Sequence, residues 1–224
     1  MKKEIELKYR LDSKLDLQLF EYLLDPYRTG EKQTLRQENY YFDTKMLSLK
    51  KQGISLRLRQ EDDKFWLCAK QSLKGKKHGH NLSVRLEYQR PLSTDTATLI
   101  KQKKISAVDV FRKLNASSAE DQATRDTILD HMEHNFEGII HMIGSFKNHR
   151  TIVPVSLLNH HLEIELDHSI YPGSVEVFEV EVEFSSVALA ENMRGTLEAL
   201  FRAGRIKTYA SCSKSSRLYK IRFG

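Results

Sequence analysis

The chain has 224 residues, 40 % hydrophobic and 29 % charged, and its 36 Lys plus Arg against 30 Asp plus Glu give a net charge of +6. That is enough apolar material for one large or two small packed domains, and the modest basic excess favours polyanionic partners. Two cysteines without a CxxC pair suggest neither a thiolate zinc site nor a disulfide framework, and no apolar run is long enough for a membrane span, so the expectation is a soluble, cytoplasmic protein.

The first stretch sets the pattern. From Glu4 to Leu11 the chain alternates strictly, with Ile5, Leu7, Tyr9 and Leu11 on one face and Glu4, Glu6, Lys8 and Arg10 on the other. Period two is the strand signature. Carboxylates two residues apart on a strand are about 7 Å apart and can share one hard cation, with a lysine beside whatever anion that cation holds. Ser13 then caps a helix that Pro26 ends, with Leu15, Leu19, Phe20, Leu23 and Leu24 at helical spacing. A strand is predicted over 34–44, another over 54–59 with Arg57 and Arg59 opposite Ile54, Leu56 and Leu58, and a hairpin partner that puts Trp66, Cys68 and Lys70 on one face. The Lys-, Gly- and His-rich stretch 74–80 reads as a loop, and 82–90 alternates again with Arg85 and Glu87 together.

Residues 92–137 lose the alternation and predict two or three helices, an insertion between strands. Strands resume at Ile139: one carries Lys147 and Arg150, the next sets Glu163, Glu165 and Asp167 against Leu162, Ile164 and Leu166, and the last sets Glu179, Glu181 and Glu183 against Val180, Val182 and Phe184. A serine-capped helix through Leu200 and a short basic helix or strand at 213–219 close the chain.

About eight strands thus each carry an ionic face. A closed antiparallel barrel could turn those faces inward, but burying them dry would cost several kcal/mol per ion, so the interior must be wet and charge-compensated. Such a tunnel suits a metal-bound chain of phosphates, with hard oxygen ligands for the metal and guanidinium forks for phosphate oxygens. Arg57 and Arg59 have an alternative reading as cross-strand partners of Glu61 or Glu87.

The opening ExExK, the Asn39-Tyr40-Tyr41-Phe42-Asp43-Thr44 run, Leu56-Arg57-Leu58-Arg59, Lys70, Arg85-Leu86-Glu87, Arg150, Leu166-Asp167, Glu179-Val180-Glu181 and the tail Ser213 to Tyr219 occur in an order that resembles the CYTH superfamily, the triphosphate tunnel metalloenzymes, over nearly all the chain outside 92–140. The resemblance implies an α+β fold, a closed eight-stranded antiparallel barrel with flanking helices, as a single domain over 1–224. It implies a phosphohydrolase using Mg²⁺ or Mn²⁺ on inorganic tripolyphosphate, a nucleoside triphosphate or thiamine triphosphate. A class IV-type adenylyl cyclase and a non-catalytic polyphosphate binder are the alternatives. Carried over by position, Glu4, Glu6, Asp167, Glu179 and Glu181 look like metal ligands, and Glu4, Glu6 and Lys8 like the catalytic groups. Lys8, Arg57, Arg59, Lys70, Arg85, Arg150, Lys214 and Arg217 look like phosphate contacts. Glu163, Glu165 and Glu183 add acid beyond that pattern. The expected partner is a small molecule bearing a triphosphate. No membrane is expected, nor nucleic acid other than an RNA 5′-triphosphate end, and a homodimer is left open. Because the insertion carries none of these motifs, a barrel lacking 95–135 is expected to fold.

Overall fold

The computed structural model describes residues 1–73, 81–134 and 139–224, so the predicted loop at 74–80 lies outside the described residues. In chain order the elements are β1 (Lys3–Leu11), α1 (Lys14–Leu24), β2 (Gln33–Asp43), α2 (Ser48–Lys51), β3 (Ile54–Glu61), β4 (Lys64–Ser72) and β5 (Leu82–Leu92). Three helices follow, α3 (Thr94–Lys101), α4 (Ala107–Lys113) and α5 (Ala119–His134), and then β6 (His141–Leu157), β7 (His160–Tyr171) and β8 (Val175–Glu183). The chain closes with α6 (Val187–Ala203), the two-residue β9 (Tyr209–Ala210) and α7 (Lys214–Phe223). The tail, predicted as helix or strand, is a helix.

Local chemistry explains the boundaries. Ser13, Ser186 and Ser213 each take extended backbone angles and accept a bond from the amide three residues on, satisfying a donor the helix leaves unpaired. Asp43 ends β2 fully buried: its oxygens accept from the amides of Thr44, Leu49 and Lys50 and from the Tyr219 hydroxyl, at 2.7 to 3.0 Å. One carboxylate therefore caps α2 and pins α7 to the barrel.

The sheet runs β5-β4-β3-β2-β6-β7-β8-β1, all antiparallel, and β1 also pairs β5 from Lys3↔Leu86 to Leu7↔Leu82, which closes an eight-stranded barrel. Beyond that pairing β9 continues along the same edge of β1, at Tyr9 and Arg10. Closure leaves the barrel no free edge and gives each strand an inner and an outer face. The apolar face is the outer one. Helices α1 and α6 cover it over β1, β6, β7 and β8, where Phe20 stacks on Phe201 with ring centroids 4.2 Å apart.

Helices α3–α5 cover the other side. Ala97, Ile100, Ala107, Val108, Phe111, Ile128 and Met132 from α3–α5 form one core with Leu56, Leu58, Leu67, Leu86 and Tyr88 of the barrel wall. This packing argues against the expectation that a chain without 95–135 would fold. The segment lacks ionic motifs because its role is to cover the apolar face of β3–β5. Phe111 is fully buried, edge-on to Tyr88 at 5.5 Å. Phe111→Ala is expected to cost about 3–5 kcal/mol, measured by urea denaturation, and deletion of 95–135 to yield no soluble folded protein.

Candidate functional site

The inner face carries the charges. Strand parity sends Glu4, Glu6 and Lys8 inward from β1, Arg57 and Arg59 from β3, Lys70 from β4, Arg85 from β5, Arg150 from β6 and Glu181 from β8, and all of them line one cavity of about 290 Å³ together with Lys214 of α7. Three of the predicted residues lie behind this lining. Asp167 and Glu179 are fully buried in the wall, and Arg217 reaches Glu179 at 3.0 Å and Tyr171 at 3.5 Å from α7.

Lysines and arginines bind the carboxylates in a continuous network. Lys8 Nζ lies 3.0 Å from Glu6 and 2.8 Å from Glu181. Burial would lower the Lys8 pKa, but Glu181 and Glu6 outweigh it and hold it above the ordinary lysine value. Lys70 bonds Glu4 and lies 3.1 Å from Glu87, and Arg85 spans Glu4 at 3.2 Å and Glu6 at 3.3 Å. Burial alone would raise Glu87, yet Lys70 and Arg57 hold it down to about 2. Arg150 forks onto Asp167 at 2.8 and 2.6 Å, reaches Glu181 at 3.0 Å and bonds Glu165. Lys214 bonds Glu181, and lies 2.7 Å from Asp167 and 3.7 Å from Glu179. Sequence reading aimed Lys214 at an anion; here it grips three carboxylates.

Two groups of carboxylates converge. One oxygen each from Glu165, Asp167 and Glu181 lie within 4.8 Å of one another, and so do oxygens of Glu4, Glu87 and Glu183. Octahedral oxygens at about 2.1 Å from Mg²⁺ are separated by roughly 3–4 Å, so a small contraction fits either trio to a hard cation. The five expected ligands do not meet at one point: Glu4 belongs to one trio, Asp167 and Glu181 to the other. Glu6 sits between Lys8 and Arg85, and Glu179 with Arg217 and Ser211. Glu87, Glu165 and Glu183 were not among the expected ligands. Their parity with Arg85, Asp167 and Glu181 on the same strands is the signal that could have found them. Burial, together with Asp167 and Glu181, pushes Glu165 up to about 8 despite its bond to Arg150.

Helix α7 closes one end. Leu218 and Tyr219 pack on Tyr41, Phe146 and Tyr171, while the turn Ser213–Ser216 faces a second cavity of about 680 Å³ that shares Glu6, Lys8, Lys70 and Arg85 with the tunnel. At the opposite rim Glu165 and Glu183 also border an outer groove with Glu163 and His161.

The CYTH domain family model matches residues 2–219. The chain belongs to the CYTH family. Solved structures similar to this CYTH domain include a candidate adenylyl cyclase from Hippeastrum described as having a dominant triphosphatase activity, 24 % identical, covering 99 % of this chain and 97 % of that one with a TM-score of 0.74. A candidate adenylate cyclase from Bacillus halodurans is 25 % identical over 98 % of this chain and 100 % of that one, with a TM-score of 0.58. A Pyrococcus horikoshii protein is 13 % identical over 97 % and 99 %, with a TM-score of 0.52. No curated protein matches the chain. Among the described residues of the CYTH domain no helix is long and apolar enough to cross a membrane.

Proposed function

We propose that this CYTH domain is a divalent-metal-dependent triphosphatase, cleaving a phosphoanhydride bond of tripolyphosphate, a nucleoside triphosphate or thiamine triphosphate in the cytoplasm. The observation that carries the reading is one cavity inside the closed barrel in which acid-rich β1, β7 and β8 face basic β3 and β4. Phosphoryl transfer asks little covalent chemistry of a protein; it asks for positioning and compensation of charge on phosphate oxygens. The trio Glu165, Asp167 and Glu181, or the trio Glu4, Glu87 and Glu183, would hold Mg²⁺ or Mn²⁺, which would supply Lewis-acid charge there.

The chain's own groups do the rest. Arg57 and Arg59 take phosphate oxygens. Lys8, Lys70, Arg85 and Arg150 line the same cavity and would meet the phosphate chain from its other sides. Lys214 and Arg217 close the tunnel from α7. Glu4 or Glu6 orients the attacking water and accepts its proton. A second reading, a class IV-type adenylyl cyclase, is favoured by the relationship to the Bacillus halodurans protein. Tripolyphosphate turnover is expected to vanish in excess chelator and to return with Mg²⁺ or Mn²⁺ more fully than with Ca²⁺, whose looser coordination suits in-line transfer poorly. Undiminished phosphate release in chelator would remove the metal from the account.

A further inference from the structure

We propose that Lys214 is a built-in competitor of the metal: its ammonium fills the cation position at Asp167 and Glu181 and must withdraw before the Glu165, Asp167 and Glu181 trio can take a divalent ion. The proposal rests on the reading of that trio as a metal site and gives Lys214 a task beyond closing the tunnel.

The trio is already neutralised from within. Around Glu165, Asp167, Glu179 and Glu181 stand Arg150, Lys214, Lys8 and Arg217, each with one of these carboxylates within 3.0 Å. The four cations match the four acids, so a divalent ion added to the set would leave it overcharged. Asp167 also has no acceptor site to spare. Its Oδ1 accepts from Asn148 Nδ2 and Arg150 Nε, both at 2.8 Å. Its Oδ2 accepts from Arg150 Nη2 at 2.6 Å and Lys214 Nζ at 2.7 Å. A carboxylate offers about two acceptor sites on each oxygen, and all of them are taken. A metal reaches Asp167 only when one of these donors leaves.

Lys214 is the donor placed to leave. Asn148 is fixed by bonds to Gln37 and Ser169, and Arg150 forks onto Asp167 while also holding Glu165 and Glu181. Lys214 instead carries a compact point charge on a flexible stem. It is the first residue of α7, whose first turn has no acidic residue, so the positive end of the helix opposes its charge. The carboxylates hold it there against that dipole. Burial would lower the Lys214 pKa, but Asp167, Glu181 and Glu179 keep it well above the ordinary lysine value. Once those oxygens are engaged by a divalent ion, the ammonium loses that hold and is left beside the tunnel cavity that it lines, where an anion can receive it. Metal and phosphate chain are therefore expected to bind cooperatively, and metal alone weakly.

Mn²⁺ binding to the whole protein without substrate, followed by the electron paramagnetic resonance signal of free Mn²⁺, tests this. Lys214→Met keeps the stem and removes the charge, and it is expected to tighten Mn²⁺ by more than about tenfold. Lys214→Arg keeps the charge and is expected to bind Mn²⁺ no more tightly than the wild type. Binding at the Glu4, Glu87 and Glu183 trio is common to all three proteins, so the differences report position 214. If Lys214→Met is unfolded in chelator, Mn²⁺ is expected to restore its far-ultraviolet circular dichroism, because the ion takes the place of the missing ammonium. A folded Lys214→Met with unchanged or weaker Mn²⁺ binding overturns the proposal. So does a Lys214→Met chain that Mn²⁺ does not refold, or equal tightening in Lys214→Arg. Tripolyphosphate hydrolysis by the wild type is read separately. Chelator-sensitive hydrolysis with no tightening in Lys214→Met refutes the competitor alone, and tightening without hydrolysis refutes the triphosphatase alone.

Discussion

Arg150→Ala is expected to lower folding stability by about 3–5 kcal/mol, the cost of leaving a buried charge without its partner. Asp167 is fully buried, and Arg150 provides both of its fork bonds while also meeting Glu165 and Glu181. Lys214 alone cannot compensate three carboxylates from its side of the cluster. Arg57→Ala is expected to behave in the opposite way. With no carboxylate to abandon, its removal should change stability by less than about 1 kcal/mol and relieve repulsion among the cations. It should still weaken tripolyphosphate binding by roughly 1.5–3 kcal/mol, the value of a charge-assisted contact. Urea denaturation in chelator separates the two arginines. Equal losses would mean that Arg57 is a structural ion-pair partner.

Glu181→Gln is expected to reduce metal-dependent turnover by more than about a hundredfold, since even the outer partners of metal ligands cost 10- to 100-fold when removed. Glu181 is nearly fully buried, contacts Lys8, Arg150 and Lys214 together, and contributes an oxygen to the trio with Glu165 and Asp167. Glutamine keeps the volume and removes the charge on which the cations and the proposed metal converge. Glu6→Gln should follow in the same direction. Glu163→Gln, exposed on the outer groove, should stay within about twofold of the wild type. Phosphate release at saturating tripolyphosphate is the readout, and a Glu181→Gln enzyme within a few fold of wild type would show that the catalytic metal lies elsewhere.

The barrel was legible because period two is a strong signal when one face is wholly apolar and the other wholly charged. Ile5, Leu7 and Tyr9 could face only helices, and Glu4, Glu6 and Lys8 only a polar interior. The serine caps at 13, 186 and 213 were legible for the same local reason. The sequence does not reveal strand order around the barrel, and so it hides which carboxylates meet. Glu4 joins Glu87 and Glu183 because β1 lies between β5 and β8, not because of any spacing along the chain. The role of α3–α5 was hidden too. Their burial on β3–β5 is a tertiary fact, and a lack of ionic motifs is what a purely packing segment would show.

The most direct test of the triphosphatase reading is product identity from ATP and from tripolyphosphate with Mn²⁺ or Mg²⁺, following orthophosphate, pyrophosphate and cyclic AMP separately. A hydrolase needs only the phosphate chain, the cations that line the tunnel and a positioned water, whereas a cyclase must also hold the ribose 3′-hydroxyl in line with the α-phosphorus. The account predicts orthophosphate with ADP from ATP, and cleavage of tripolyphosphate at least as fast. Cyclic AMP and pyrophosphate in equal amounts, with tripolyphosphate left intact, would contradict it.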